Sequence, residues 1–238
     1  MTVALLTAAG SGTRMGQDIP KQFIHINNKP VIIYTLEKFQ NNPQTDVIVL
    51  VTLPHWVDFV WAYAKQFNIT KLKWVVAGGE TGQESIYNGL KKIEEEYDKD
   101  TVVMIHDGNR PMVDNDIIAD NLAVFRKYGS AIAAIPCVEA VFESDDKISS
   151  TKSIARERLL RTQTPHTYTL GKLLWAHDQA KLRNIINTTA TCSLMCELGE
   201  QIYFSKGAET NLKLTTLEDL EIFGALLLTE RNDWLKKG

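Results

Sequence analysis

Leu5-Leu6-Thr7-Ala8-Ala9-Gly10-Ser11-Gly12-Thr13-Arg14-Met15-Gly16 carries an apolar run directly into small residues and glycines. Such a run, bounded by glycine, reads as a buried strand that ends in a tight loop. Positions with little or no side chain let backbone N–H groups approach a ligand, a geometry that suits phosphate. Arg14 lies within the loop, and Lys21, in Pro20-Lys21-Gln22-Phe23, lies just beyond it. A glycine loop with two cations can hold a triphosphate and neutralise charge as it moves to a leaving group. The plainer reading, that Gly10 and Gly12 only make a turn, does not account for the cations. Spacing excludes the two common phosphate loops. The dinucleotide fingerprint requires Gly-x-Gly-x-x-Gly, but Met15 stands at its third glycine, with Gly16 one step late. The ATPase loop ends in Gly-Lys-Ser/Thr, which is absent here.

Outward from this loop, residues 3–7, 47–53, 73–77, 102–106 and 131–136 are near-continuous runs of Val, Ile, Leu and Ala, expected for strands covered on both faces. Helices are expected between them. Pro30 opens one, with Ile32, Leu36 and Phe39 inward. Another follows Pro54, a third covers residues 84–97 with Ile86, Leu90 and Ile93 at helical spacing, and Asp114 caps a fourth. The alternation predicts an α/β protein with a mostly parallel sheet and helices on both faces. Ligands bind such sheets beyond the carboxyl ends of the strands, where the Gly10 loop and Asp107 both fall.

The pattern breaks after Cys137. Residues 138–143 read as a strand, 144–153 as a polar turn and 154–161 as a basic segment, together an arm leaving the main body as a loop or to pack on a second copy. Residues 201–206 and 212–215 are expected as short strands. Thr215 and Glu218 have capping-box spacing for a last helix with Leu220, Phe223, Leu227 and Leu228 inward.

The chain has 238 residues, the size of one α/β domain of roughly 200–250 residues. Its net charge of −3 argues against general nucleic-acid or membrane-surface binding and leaves room for a local basic pocket. No apolar run reaches the ~20 residues of a membrane span. With no basic start and cleavage site of a signal peptide, a cytoplasmic protein is expected. The three cysteines read as reduced thiols; Cys192 and Cys196, four apart and without a nearby histidine pair, read as apolar packing rather than a metal site.

Two further segments carry chemistry. His106-Asp107-Gly108-Asn109-Arg110-Pro111 ends a strand with an acid beside a glycine, which suits a metal-bound phosphate. Magnesium takes one or two carboxylates and completes its shell with phosphate oxygens and water. The alternative is a structural Asp107–Arg110 ion pair. Gly78-Gly79-Glu80-Thr81-Gly82-Gln83-Glu84-Ser85 is a second glycine-rich turn whose backbone can read the edge of a base; alone it is only a turn. Gln163-Thr164-Pro165-His166 and Asn211-Leu212-Lys213-Leu214-Thr215 carry no individual signal.

Taken in order, the segments resemble the family of the methylerythritol-phosphate and ribitol-5-phosphate cytidylyltransferases, over nearly the whole chain. Ala8-Ala9-Gly10-x-Gly12-x-Arg14-Met15 and Pro20-Lys21-Gln22-Phe23 match its nucleotide loop, and His106-Asp107-x-x-Arg110-Pro111 its metal segment. Arg156 and Gln163-Thr164-Pro165 match the arm and its exit; Asn211-x-Lys213-x-Thr215 with Glu218-Asp219-Leu220 matches the C-terminal signature.

The resemblance implies a Rossmann-like fold, one nucleotidyltransferase domain over residues 1–238, and a protruding β-arm (138–161) for homodimerisation. Arg14, Lys21 and Lys213 would act on the phosphates of CTP, and Asp107 would hold Mg2+. The nucleotide would contact Ala8, Ala9, Gly10, Gly12, Thr13, Gly79, Glu80, Ser85 and Gly108. Arg110, Arg156 and Thr164 would address a small phosphorylated polyol, Arg156 from the partner subunit. A CDP-alditol so made would serve a cell-surface polymer.

The sequence departs from the methylerythritol pattern at Thr210, where an aspartate precedes Asn-x-Lys, at Ala140 for a threonine, at Gly82 for an arginine and at Ala190 for an aspartate. The ribitol-phosphate group also lacks the aspartate before Asn-x-Lys, so the chain reads as an alditol-phosphate enzyme; that group keeps the threonine of the arm, so Ala140 sets the expected acceptor pocket apart from both. The rivals are methylerythritol-phosphate cytidylyl transfer, an inactive nucleotide-binding scaffold and, more distantly, a dehydrogenase.

Overall fold

In the computed structural model, which describes residues 1–10 and 19–229, the apolar run becomes the central strand of a sheet. In chain order the elements are β1 (Thr2–Ala8), the hairpin β2 (His25–Ile26) and β3 (Lys29–Pro30), α1 (Val31–Asn41), β4 (Val47–Thr52), α2 (Val57–Gln66), β5 (Leu72–Ala77), α3 (Gly82–Glu94), β6 (Val102–Asp107), α4 (Asn115–Tyr128), β7 (Ala131–Pro136), β8 (Val141–Glu143), β9 (Lys152–Ile154), β10 (Leu160–Thr169), α5 (Leu170–Leu182), α6 (Thr191–Glu197), β11 (Phe204–Lys206) and α7 (Leu217–Thr229). Seven strands form the sheet in the order β11-β7-β10-β6-β1-β4-β5.

Both faces of β1 are apolar because both are covered. Ala4, Leu6 and Ala8 enter one core with Ile32, Leu36 and Phe39 of α1. Val3 and Leu5 enter the other with Leu90 and Ile93 of α3 and Leu173 of α5. Polar caps start α3 and α4: Thr81 accepts from the Glu84 N–H and Asp114 from the Ile117 N–H. Gly129, at φ 81°, closes α4 in the left-handed conformation. From β1 the chain runs outward through β4 and β5, then returns to β6 on the other side of β1. The direction of winding therefore switches between β1 and β6, both parallel, with Thr7 level with Asp107. Ligands bind α/β sheets at such a switch.

The arm is a two-stranded antiparallel hairpin, β8 with β9, separate from the main sheet. Its apolar side chains project into solvent: Phe142 is 58% exposed and Ile148 90%.

Several expectations need correction. The strand expected at 138–143 is only Val141–Glu143, and that at 201–206 only Phe204–Lys206. Residues 212–215 form no strand; Asn109 holds them instead, as described below. The helix expected at 84–97 is Gly82–Glu94. The capping box lies one residue later than read. Thr216 Oγ1 accepts from the Asp219 N–H, and Asp219 accepts from the N–H groups of Thr215 and Thr216. Leu228 is 59% exposed, so the last helix turns it outward, while Leu220 and Phe223 are buried. Cys192 is buried, but Cys196 on the same helix is exposed.

Candidate active site

The carboxyl ends of β1 and β6 open into a cleft of about 730 Å³. Ala8, Ala9, Gly10 and Lys21 line one wall, Gly79, Glu80 and Ser85 another, and Asp107, Arg110 and Lys213 meet between them. Arg110 Nε donates to Asp107 Oδ2 at 3.0 Å, and Lys213 Nζ lies 3.2 Å from Oδ1 and 3.1 Å from Oδ2. Burial would raise the Asp107 pKa, but the adjacent Lys213 and Arg110 charges outweigh it and hold the carboxyl well below the usual carboxylate range. Asp107 is therefore an anion throughout the physiological range.

Buried hydrogen bonds place these charges. Asp107 N–H donates to Thr164 Oγ1 at 3.0 Å, and Thr164 Oγ1 lies 3.0 Å from His106 Nδ1. His106 Nε2 lies 3.1 Å from the Arg110 carbonyl. A carbonyl only accepts, so Nε2 carries the proton and Nδ1 receives the threonine hydroxyl. Burial lowers the His106 pKa to about 4, so the ring stays neutral. Alternation along β6 aims His106 away from the cleft, against Phe39, and Asp107 into it. The 211–214 segment that carries Lys213 is docked from this same turn. Asn109 Nδ2 donates to the Leu214 carbonyl at 2.6 Å, and the Leu214 N–H donates back to the Asn109 carbonyl at 2.9 Å. Arg110 Nη1 donates to the Asn211 carbonyl at 2.7 Å.

The glycine turns are equally constrained. Gln22, buried, donates from Nε2 to the carbonyls of Ala8 at 2.6 Å and Gly10 at 3.2 Å. Phe23 beside it stacks on Trp56, centroids 4.0 Å apart. Ser85 Oγ accepts from the Gly79 N–H at 3.1 Å and donates to the Thr81 carbonyl at 2.8 Å. A Cβ on Gly78 would lie 2.5 Å from the Ala9 Cβ and 2.9 Å from Ser85 Oγ, so the two turns touch only because this position has no side chain.

The cleft thus gathers Ala8, Ala9, Gly10, Lys21, Gly79, Glu80, Ser85, Asp107, Arg110 and Lys213, all anticipated from sequence. Gly12, Thr13 and Arg14 lie outside the described residues. Gly108 packs behind the wall: its N–H donates to the Thr7 carbonyl, and a Cβ would meet Ile32 at 2.7 Å. The Thr164 hydroxyl is engaged by His106 and Asp107, which makes it a positioning group for the carboxylate. Arg156 lies on the arm, where it donates to the Val138 carbonyl at 2.7 Å and pairs with Glu157 at 3.6 Å; it does not line its own chain's cleft. Sequence reasoning missed Gln22, Gln83, Asn109, His106 and His166. Gln83 fastens the far wall, donating to the Ile185 carbonyl and accepting from the Thr188 N–H and hydroxyl.

In this arrangement two glycine-bearing walls face paired cations and one ionised acid. The family model described as 2-C-methyl-D-erythritol 4-phosphate cytidylyltransferase matches residues 2–229. The chain belongs to this family of cytidylyltransferases. Among its relatives, the ribitol-5-phosphate cytidylyltransferase of Vibrio parahaemolyticus is 42% identical over 98% of both chains. That of Lacticaseibacillus paracasei is 40% identical over 95% of this chain and 98% of its own. The crystal structure of the Francisella tularensis 2-C-methyl-D-erythritol 4-phosphate cytidylyltransferase superposes with a TM-score of 0.79 at 30% identity, over 94% of this chain and 98% of that one. As a family member, the chain is a CTP-dependent nucleotidyltransferase.

Proposed function

We propose that this cytidylyltransferase transfers CMP from CTP to ribitol 5-phosphate or a closely similar alditol phosphate, giving a CDP-alditol and pyrophosphate. The observation that carries this reading is the Asp107–Arg110–Lys213 cluster, set between two glycine turns, in a chain about two-fifths identical to ribitol-5-phosphate cytidylyltransferases. Thr210, exposed beside Asn211, stands where the methylerythritol pattern has an acid and favours the alditol reading.

The residues suggest how the transfer runs. The Ala8–Gly10 and Gly78–Ser85 backbone would hold the nucleotide, and Lys21 would lie over its phosphates. Asp107 is one ionised carboxylate, which fits a Mg2+ whose remaining ligands are phosphate and water; bound there, the ion would neutralise phosphate charge. An oxygen of the acceptor phosphate would form the bond to the α-phosphorus as the bond to the bridging oxygen breaks, its electron pair leaving with pyrophosphate. The attacking oxygen is already anionic, so no general base or covalent nucleophile is needed, and positioning with charge neutralisation supplies the rate. Lys213 and Arg110 would draw the two anions together. The arm would clasp a second subunit, fixing Arg156 for the partner's acceptor phosphate in bidentate geometry. A CDP-alditol product would feed assembly of a cell-surface polymer. The reading is tested by pyrophosphate release with ribitol 5-phosphate and each of the four triphosphates. CTP should be strongly preferred; equal use of ATP or GTP would refute it.

A further inference from the structure

The turn after β6 clamps the backbone around Lys213, and a different strand fixes the chain that leads into it. Gln163 of β10 is buried, and its side-chain amide pairs with the Ala208 backbone in both directions. Nε2 donates to the Ala208 carbonyl at 2.8 Å, and Oε1 accepts from the Ala208 N–H at 3.2 Å. Oε1 also accepts from Asn211 Nδ2 at 3.3 Å, and the same Nδ2 donates to the Thr164 carbonyl at 2.9 Å. The Asn211 N–H donates to the Ala208 carbonyl at 3.0 Å, which closes residues 208–211 into a turn just before Lys213. β7 stands between β10 and β11 in the sheet, so the Gln163 side chain ties β10 to the segment that follows β11. Gln163 lies where the pairing of β10 with β7 slips register, between Thr162 and His166.

Gly207 makes this contact possible. A Cβ there would lie 2.5 Å from Gln163 Oε1, so the amide reaches Ala208 only because position 207 has no side chain. The other link between the two segments, Arg161 with Glu209 at 2.7 Å, is exposed, and such a pair contributes little. The buried amide therefore carries the placement. Gln163 also borders the cleft, yet both lone pairs of its oxygen and one amide proton are already engaged within the protein. What it gives the cleft is position. We infer that Gln163 is a positioning residue for the reaction: it sets the 208–211 turn and, through it, the place of the Lys213 ammonium beside Asp107. A misplacement of about 1 Å can cost up to about a hundredfold in rate. This role rests on the catalytic part given to Lys213 above and is independent of which alditol phosphate is the acceptor.

The test is a double-mutant cycle in steady-state kinetics on the full chain, with CTP and whichever of ribitol 5-phosphate and 2-C-methyl-D-erythritol 4-phosphate the wild type turns over. Gln163→Met keeps the length of the side chain and removes its hydrogen bonds. It should lower kcat about ten- to a hundredfold and leave both KM values within about twofold. In a Lys213→Ala background it should lower kcat no further, while the melting temperature falls equally in both backgrounds. Gly207→Ala, which displaces the amide and leaves Gln163 in the chain, should lower kcat to a similar extent and add little to Gln163→Met. An equal fall in kcat in both backgrounds would make Gln163 a general support of the fold and overturn the inference. So would unchanged kinetics, or a raised acceptor KM at unchanged kcat, the mark of direct substrate contact. If Gln163→Met does not fold, Gly207→Ala carries the same cycle against Lys213→Ala. Normal turnover by Lys213→Ala refutes the role of Lys213 and that of Gln163 with it; an impaired Lys213→Ala with an indifferent Gln163→Met refutes only the role of Gln163.

Discussion

Asp107 and Lys213, 106 residues apart in the chain, meet at 3.1 Å across the cleft. The lysine stands on a segment without regular structure, yet its place is defined because Asn109 and Arg110, from the same turn as Asp107, bind the backbone on either side of it. One turn therefore fixes the acid and both of its cations.

Removing Lys213 should impair chemistry rather than folding. Lys213→Ala is expected to lower kcat by about two to three orders of magnitude, the usual cost of losing one preorganised charge contact. Its melting temperature should stay near that of the wild type, since Lys213 is a cleft residue outside both cores. Stopped-flow pyrophosphate release with parallel calorimetry measures both; near-normal turnover would remove Lys213 from the reaction.

The bridge between Thr164 and His106 should be structural and recoverable. Thr164→Val leaves the Asp107 N–H and His106 Nδ1 without their partner, a cost of roughly 1–3 kcal/mol per buried group. Thr164→Ser should restore most of the stability. Urea unfolding of the two variants provides the check, and equal midpoints would show that the hydroxyl contributes nothing.

Stability should depend on acid in a defined window. His106 and His166 have folded pKa values of about 4, below the ordinary 6.5. Between those values the unfolded chain binds protons that the folded chain does not, so stability falls as pH drops from about 6.5 toward about 4. Each ring contributes at most about 3 kcal/mol above that window. Asp107 adds nothing there, because its depressed pKa acts only at lower pH. Denaturant midpoints that are flat from pH 7 to 5 would contradict this.

Two glycines of the Gly78–Ser85 turn should respond differently to a methyl group. Gly78→Ala forces contacts of 2.5 and 2.9 Å and should raise KM for CTP while lowering the melting temperature. Gly82→Ala meets nothing within 4 Å and should change stability by less than about 0.5 kcal/mol.

Much of this architecture was legible because the parallel strands are apolar on both faces, so the ends of β1, β4, β6 and β7 fall within two residues of expectation. β10 was not legible. Its Leu-Arg-Thr-Gln-Thr-Pro-His-Thr-Tyr-Thr sequence is polar, and Pro165 cannot donate to a ladder. The sheet accommodates it at an irregularity, where the pairing with β7 shifts register between Thr162 and His166. Lys213 gave no signal alone for a related reason: its meaning lies in its distance from Asp107, which no local pattern encodes. The supporting shell of Gln22, Asn109 and His106 is built from side chain to backbone bonds between distant segments, and these leave no periodicity to read.

The shared-site proposal is tested by mixing Arg156→Ala subunits with Lys21→Ala subunits. Each homodimer would carry damage in every site, whereas a heterodimer would carry one doubly damaged site and one intact. Activity should reappear on mixing; no recovery despite demonstrated subunit exchange would mean that each site is built within one chain.

The central claim, cytidylyl transfer to an alditol phosphate, is tested most directly by measuring kcat/KM for ribitol 5-phosphate and for 2-C-methyl-D-erythritol 4-phosphate, each with saturating CTP. Ribitol 5-phosphate should be favoured by at least about a hundredfold, within the range by which a site rejects a substrate analogue whose hydroxyls do not match. A preference for 2-C-methyl-D-erythritol 4-phosphate, or turnover of neither, would contradict it.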